Sequence, residues 1–156
     1  MPPDAYAILK GDASHPRLHG KVFFYQTPYG VLVNTTVIGL PTARQLCASP
    51  IFAFHIHENG RCQGDENDPF ADVGAHYNPE NCPHPFHRGD LPPLFGANGY
   101  AYASVLSNRF TVEEILTRAV ILHQSYDDFE TQPSGNAQGK IACGVILANR
   151  SRRRLS

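Results

Sequence analysis

Along the first forty residues, apolar and polar positions alternate within short runs that end at turn-forming residues: Ala5 to Lys10, Gly20 to Gln26 and Val31 to Ile38. In the third run Val31, Val33, Thr35 and Val37 fall on one face, the two-residue period of a half-buried strand. Similar runs recur at Ile51 to His57, Gly99 to Leu106, Ala119 to His123 and Lys140 to Leu147. The pattern predicts an all-β fold of about seven or eight strands, arranged as an antiparallel sandwich or barrel. Thr111 to Leu116 predicts one helical turn with Val112, Ile115 and Leu116 on the same side, too short to alter the class.

Two stretches break the pattern. Glu58 to Asn98 reads as irregular over its whole length and holds six of the thirteen prolines. Unstructured loops beyond roughly 15 residues are uncommon in compact domains, so something other than strand pairing is expected to hold it. Gln124 to Gly139 is shorter and rich in Gly, Pro, Ser and Asn.

The chain has 156 residues, 42% hydrophobic and 17% charged, which fits one soluble domain. Its formal charge is −1, but Arg150, Arg152, Arg153 and Arg154 crowd the C-terminus, leaving nine basic against fourteen acidic residues elsewhere. A domain over 1–148 and a basic, disordered tail over 149–156 are expected. The mildly acidic body argues against nucleic acid as a partner. No apolar run approaches the roughly 20 residues of a membrane span, so no membrane partner is expected. The N-terminus shows no export signal, which favours the cytoplasm, although a trimmed exported form would look the same.

Six of the eight histidines lie in or beside the two irregular stretches: His55, His57, His76, His84, His87 and His123. On a strand, His55 and His57 at i and i+2 share a face and can reach one ion without distorting the backbone. His84, His87 and Asp90 recur at three-residue intervals in a segment where proline restricts the loop and Gly89 permits a sharp turn. Two imidazoles and a carboxylate are ligands that zinc accepts, and a fourth would close a tetrahedral site. Four imidazoles suit copper, which as Cu(II) favours tetragonal nitrogen coordination. A bound ion would also explain how a long loop stays folded, since metal affinity becomes folding free energy.

Five strings carry a resemblance, in order and across nearly the whole chain: Phe54-His55-Ile56-His57-Glu58, Gly74-Ala75-His76-Tyr77-Asn78-Pro79, Gly89-Asp90-Leu91-Pro92, Gly135-Asn136-Ala137 and Ala142-Cys143-Gly144-Val145-Ile146. Together they resemble the copper/zinc superoxide dismutases, bacterial type, with a short zinc loop. The resemblance implies an eight-stranded antiparallel Greek-key β-barrel with two long metal-binding loops. It implies copper on His55, His57, His76 and His123, and zinc on His76, His84, His87 and Asp90, with His76 shared. Asp127 matches the carboxylate that ties His55 to His84. The implied antioxidant activity converts two superoxide anions and two protons into oxygen and hydrogen peroxide; copper alternates between its two oxidation states, His76 carries a proton and zinc is structural. Cys62 and Cys143 match the family's intrachain disulfide. Cys47 and Cys82 are additional and permit a second bridge, against which stands the reducing cytosol; four cysteines allow three pairings.

The main departure is Lys140, which stands where the family has an arginine that attracts superoxide. Lysine keeps the charge but lacks the guanidinium fork, so a working but slower enzyme is expected. Ser134 replaces a threonine that usually lines the channel, and the loop before Lys140 is shorter than in familiar members. A homodimer is allowed by the resemblance. The alternative reading is a dismutase-like protein that binds copper and zinc with weak turnover or none.

Overall fold

The structure is a computed structural model that describes residues 1–42 and 50–151. Eight strands form one antiparallel sheet: β1 (Ala5–Gly11), β2 (His19–Thr27), β3 (Gly30–Ile38), β4 (Ile51–His57), β5 (Asp90–Phe95), β6 (Tyr100–Ser107), β7 (Ala119–His123) and β8 (Lys140–Ala148). Their order is β5-β4-β7-β8-β1-β2-β3-β6, and β5 and β6 pack against each other across the remaining edge, so the sheet curls into a nearly closed barrel. The connections from β3 to β4 and from β6 to β7 cross over between non-neighbouring strands, which makes the topology Greek-key.

Seven of the strands lie where alternation predicts them, with ends moved by a residue or two. Val31, Val33, Thr35 and Val37 are all buried on the inner face of β3. The eighth strand corrects the reading of Glu58 to Asn98 as irregular throughout, because β5 lies inside that stretch and pairs with β4. Its sequence, Asp90-Leu91-Pro92-Pro93-Leu94-Phe95, hides the strand behind two prolines. Proline cannot donate to a ladder and is tolerated at a sheet edge, and β5 is an edge strand of this sheet. The loop also holds a short 3₁₀ helix, Ala71–Val73.

The expected helical turn is α1 (Val112–Ile115), whose start is fixed by a capping box. The Thr111 hydroxyl accepts from the Glu114 N–H, and the Glu114 carboxylate accepts from the Thr111 N–H.

β4 is buried on both faces, and this places the chemistry. Phe52, Phe54 and Ile56 point into the barrel core, while Ala53, His55 and His57 point outward under the loops. β7 repeats the arrangement, with Val120 and Leu122 in the core and Ala119, Ile121 and His123 outside it. The long loop is seated partly by its own apolar cluster, in which Phe70 and Val73 cover Ala119, Ile121 and Cys143. The Cys62–Cys143 disulfide, with Cα atoms 5.8 Å apart, pins the same loop to β8. Among the described residues Cys82 is bonded to no other cysteine, and Cys47, the partner in the second bridge allowed by the sequence, lies outside the described residues. At the other end of the barrel Asn149 donates its backbone N–H to Asp4 and its side-chain amide to Pro3. Among the described residues, no helix is long and apolar enough to cross a membrane.

Candidate metal centre

The two outward histidines of β4 meet the outward histidine of β7 because these strands are neighbours, with His55 opposite Ile121 and His57 opposite Ala119. His76 joins them through an isolated bridge to His57. His84, His87 and Asp90 arrive from the other side, since Asp90 opens β5 directly opposite His55. All seven residues expected to ligate metal therefore sit together, each buried to within 9% exposure.

The side chains divide into two donor sets that share His76. In the first, donor atoms of His55, His57, His76 and His123 all lie within 4.8 Å of one another. In the second, His76 Nδ1 is 2.8 Å and His84 Nδ1 3.1 Å from the Asp90 carboxylate. His87 Nδ1 is 3.2 Å from that carboxylate and 3.2 Å from His76 Nδ1. Ligand atoms around a tetrahedral zinc at 2.0–2.1 Å are spaced by about 3.3 Å, so these separations suit one small ion. Donor atoms of His55 also fall within 4.8 Å of the set formed by His76, His84 and Asp90. His87 also approaches that set, with its Nδ1 at ligand spacing from both Asp90 and His76.

The hydrogen bonds fix which nitrogen of each ring is available. Asp127 accepts from His55 Nε2 at 2.8 Å and from His84 Nε2 at 2.7 Å, which leaves both Nδ1 lone pairs facing the centre. His57 Nδ1 donates to the Gly74 carbonyl at 2.8 Å and His123 Nδ1 to the Gln138 carbonyl at 3.2 Å. A carbonyl can only accept, so each of these Nδ1 atoms carries the proton and each Nε2 is a free base. The two Nε2 atoms face each other at 3.4 Å.

Among the described residues, three buried side-chain nitrogens are left without hydrogen-bond partners: His55 Nδ1, His76 Nε2 and His84 Nδ1. The 3.1 Å approach of His84 Nδ1 to Asp90 does not count among the hydrogen bonds, and His84 Nδ1 is left without a partner. Orphaned buried polar atoms are costly and rare, and here they lie where the two donor sets need ligand atoms. The residues thus fit both groups: four imidazoles with no carboxylate in one set, three imidazoles and a carboxylate in the other.

Electrostatics favour the ligating forms of His55, His57, His87, His123, Asp90 and Asp127 at neutral pH. Burial pushes His55 down to about 4 against the hydrogen bond to Asp127. Burial and the charge of His55 take His123 to about 3, and burial with the charge of His76 holds His57 well below its ordinary value. His87 is lowered by burial as well. Burial opposes ionisation of Asp127, but its bonds from His55 and His84 outweigh this and hold it far below the carboxylate range. For Asp90, burial is likewise outweighed by the His76 bond and the neighbouring imidazoles. Neutral imidazoles and ionised carboxylates are the forms a cation takes.

Lys140 opens β8 opposite His123 and lines a cleft of about 860 Å³ that reaches His57, His76 and His123. Ser134 lines the same cleft. The Lys140 ammonium is paired with Asp68.

Sequence reasoning missed three residues that position the site. Arg109 Nη1 donates to the carbonyls of Pro85 at 2.7 Å and of His87 and Asp90 at 3.4 Å, clamping the segment that carries His84, His87 and Asp90. Gln132 accepts from the His84 N–H and donates to the His84 carbonyl, both at 2.8 Å. Asp68 is the third. Each acts on residues at least 19 positions away, a relation that no local spacing reveals.

The chain is similar to known proteins over most of its length. The family described as copper/zinc superoxide dismutase (SODC) matches residues 18–146. The Cu-Zn superoxide dismutase of Photobacterium leiognathi is 34% identical over 141 residues, 81% of this chain and 78% of that protein. That of Legionella pneumophila is 34% identical over 151 residues, 92% of this chain and 86% of its own. A crystal structure of a double mutant of a SOD-like protein from Bacillus subtilis covers 92% of this chain and 97% of its own, with 29% identity and a TM-score of 0.73.

Proposed function

Because this chain belongs to the copper/zinc superoxide dismutase family, whose metals are copper and zinc, we propose that it dismutates superoxide, with copper on His55, His57, His76 and His123 and zinc on His76, His84, His87 and Asp90. The observation that carries the assignment is the set of orphaned nitrogens. His55 Nδ1 and His76 Nε2 belong to the first donor set and His84 Nδ1 to the second, each in a ring whose other nitrogen is already engaged.

When bound, copper supplies a one-electron couple that oxidises one superoxide to oxygen and reduces a second to hydrogen peroxide with two protons, while redox-inert zinc holds shape. The chain's residues do the rest. His76 faces the zinc set through Nδ1, beside Asp90, and the copper set through Nε2. Its Nε2 takes up a proton in one half of the cycle and releases it in the other. Asp127 orients His55 and His84 together and so couples the two sites. The carbonyls of Gly74 and Gln138 hold His57 and His123 in the tautomer that presents Nε2. Lys140, across the ladder from His123, supplies positive charge in the cleft through which a small anion approaches.

The test is superoxide consumption by purified protein before and after loading with copper and zinc, with bound metal quantified in the same samples. Turnover proportional to copper at about one ion per chain is expected. Full metal loading without copper-dependent turnover would overturn the assignment and leave a metal-binding member of the family.

A further inference from the structure

The side chains that line the cleft above the copper ligands carry more negative than positive charge. Among the described residues, its lining includes one Lys or Arg side chain, Lys140, against four carboxylates: Asp12, Glu58, Glu66 and Asp68. Lys140 is itself ion-paired with Asp68, at side-chain exposures of 18% and 35%. A paired ammonium presents a dipole where a lone one presents a full charge, and its field falls off faster with distance.

Asp68 is held for this contact. Asp65 Oδ1 accepts the N–H groups of Asn67 at 2.8 Å and Asp68 at 2.9 Å, and the Asp65 N–H returns to the Asp68 carbonyl at 2.9 Å. Asp68 Oδ1 then accepts the Phe70 N–H at 3.0 Å, which leaves Oδ2 for Lys140. Phe70 is buried in the cluster with Val73 and Ile121, so the turn is anchored below the cleft floor. Asp68 is therefore a fixed carboxylate with one oxygen spent on the backbone and the other aimed at the cleft's cation.

We propose that Asp68 is a specificity-determining residue that competes with incoming anions for Lys140 and so limits anion affinity at the copper site. This rests on the copper assignment above but does not require turnover. An anion entering the cleft must share the Lys140 ammonium with Asp68 or displace it, and it gains only the difference. Removing the charge of Asp68 while keeping its shape frees Lys140 for the anion.

The experiment is an azide titration of the copper- and zinc-loaded protein, followed by the azide-to-copper absorption band, for wild type, Asp68→Asn, Lys140→Gln and the double variant. Asp68→Asn keeps an oxygen for the Phe70 N–H, and Asp68→Ser offers a second way to remove the charge with an acceptor retained. At low ionic strength both single Asp68 variants are expected to bind azide about threefold to tenfold more tightly. The gain should shrink in high salt and largely vanish in the Lys140→Gln background. Unchanged azide affinity in both Asp68 variants overturns the proposal. An equal gain with and without Lys140 also overturns it, because Asp68 would then act as a background charge. The predicted azide cycle in a protein that fails to consume superoxide would overturn the dismutase assignment and uphold the role of Asp68; normal turnover with a flat cycle would do the reverse.

Discussion

Asp127 shows how much one side chain can decide. Each of its oxygens accepts from a different ring, His55 on one side and His84 on the other, so a single carboxylate sets the tautomer of one residue in each donor set. The space around it is closed by Gly135, which has φ +70° and whose missing Cβ would collide with the carboxylate and crowd His84 Nε2. Two substitutions should therefore damage both sites at once. Asp127→Asn keeps the shape but offers one acceptor where two N–H groups need one, leaving a donor facing a donor. Gly135→Ala pushes the carboxylate off its partners and strains the backbone. Each is expected to weaken copper and zinc binding by about 10- to 100-fold, the usual cost of losing a ligand's orienting partner. Competition with calibrated chelators measures it. Gly139→Ala is the control: its Cβ would meet only Gln124 Oε1 at 3.6 Å, so both affinities should stay at the wild-type level. Loss of one metal's affinity without the other in Asp127→Asn would show that the two sites are not coupled through this residue.

The elements differ in how plainly the sequence announces them, and the reasons are physical. β3 shows strict alternation because one of its faces packs on the core and the other meets solvent. β4 and β7 read as apolar runs whose only polar residues are histidines, because the loops cover their outer faces. β5 is obscured by Pro92 and Pro93, which its edge position and the register shift against β4 allow. His55 with His57, and His84, His87 and Asp90, were legible because chelation needs particular residue types at short spacing, whereas His76 and His123 joined them through the family resemblance. Arg109, Gln132 and Asp68 were not legible, because their partners lie far away in sequence and any of the three would pass for a surface residue. The long loop itself was expected to depend on metal, and the structure adds an apolar cluster, the disulfide and the Arg109 clamp. A prediction follows for the disulfide, which closes a separation of 81 residues. On the chain-entropy relation such a bridge contributes about 4.5 kcal/mol. Reducing Cys62–Cys143 in metal-free protein should lower the denaturant midpoint accordingly, and the Cys62→Ala/Cys143→Ala variant should match the reduced form. A midpoint that ignores reductant would mean that the Phe70 and Val73 cluster seats the loop unaided.

At the scale of the whole molecule, the metal centre is where separate parts of the chain are tied together. Its ligands come from β4, from β7, from the start of β5 and from the long loop, and Asp127 adds the loop between β7 and β8. The barrel core below is complete without metal, since Phe24, Leu9, Ile56, Leu122 and Ile146 are fully buried within it. The centre above it is different: buried nitrogens lack partners and carboxylates crowd against imidazoles, so an empty site costs free energy that an ion recovers. Any ion that binds the folded chain alone stabilises it by RT ln(1 + [L]/Kd), about 4 kcal/mol at a thousandfold excess over Kd. For a domain of this size that corresponds to a rise in melting temperature of roughly 8–16 °C per site. Stripping both metals should therefore leave a folded barrel that melts well below the loaded form, with readdition of zinc alone restoring part of the difference. Calorimetry of the stripped, zinc-loaded and fully loaded protein measures the steps. Hydrogen exchange locates them: amides of 58–89 and 124–139 should lose protection on stripping while those of β1, β2 and β3 keep theirs. If instead the metal-free chain lost protection throughout, the core would not stand alone, and the metals would have to be counted among the forces that fold the barrel rather than those that finish it.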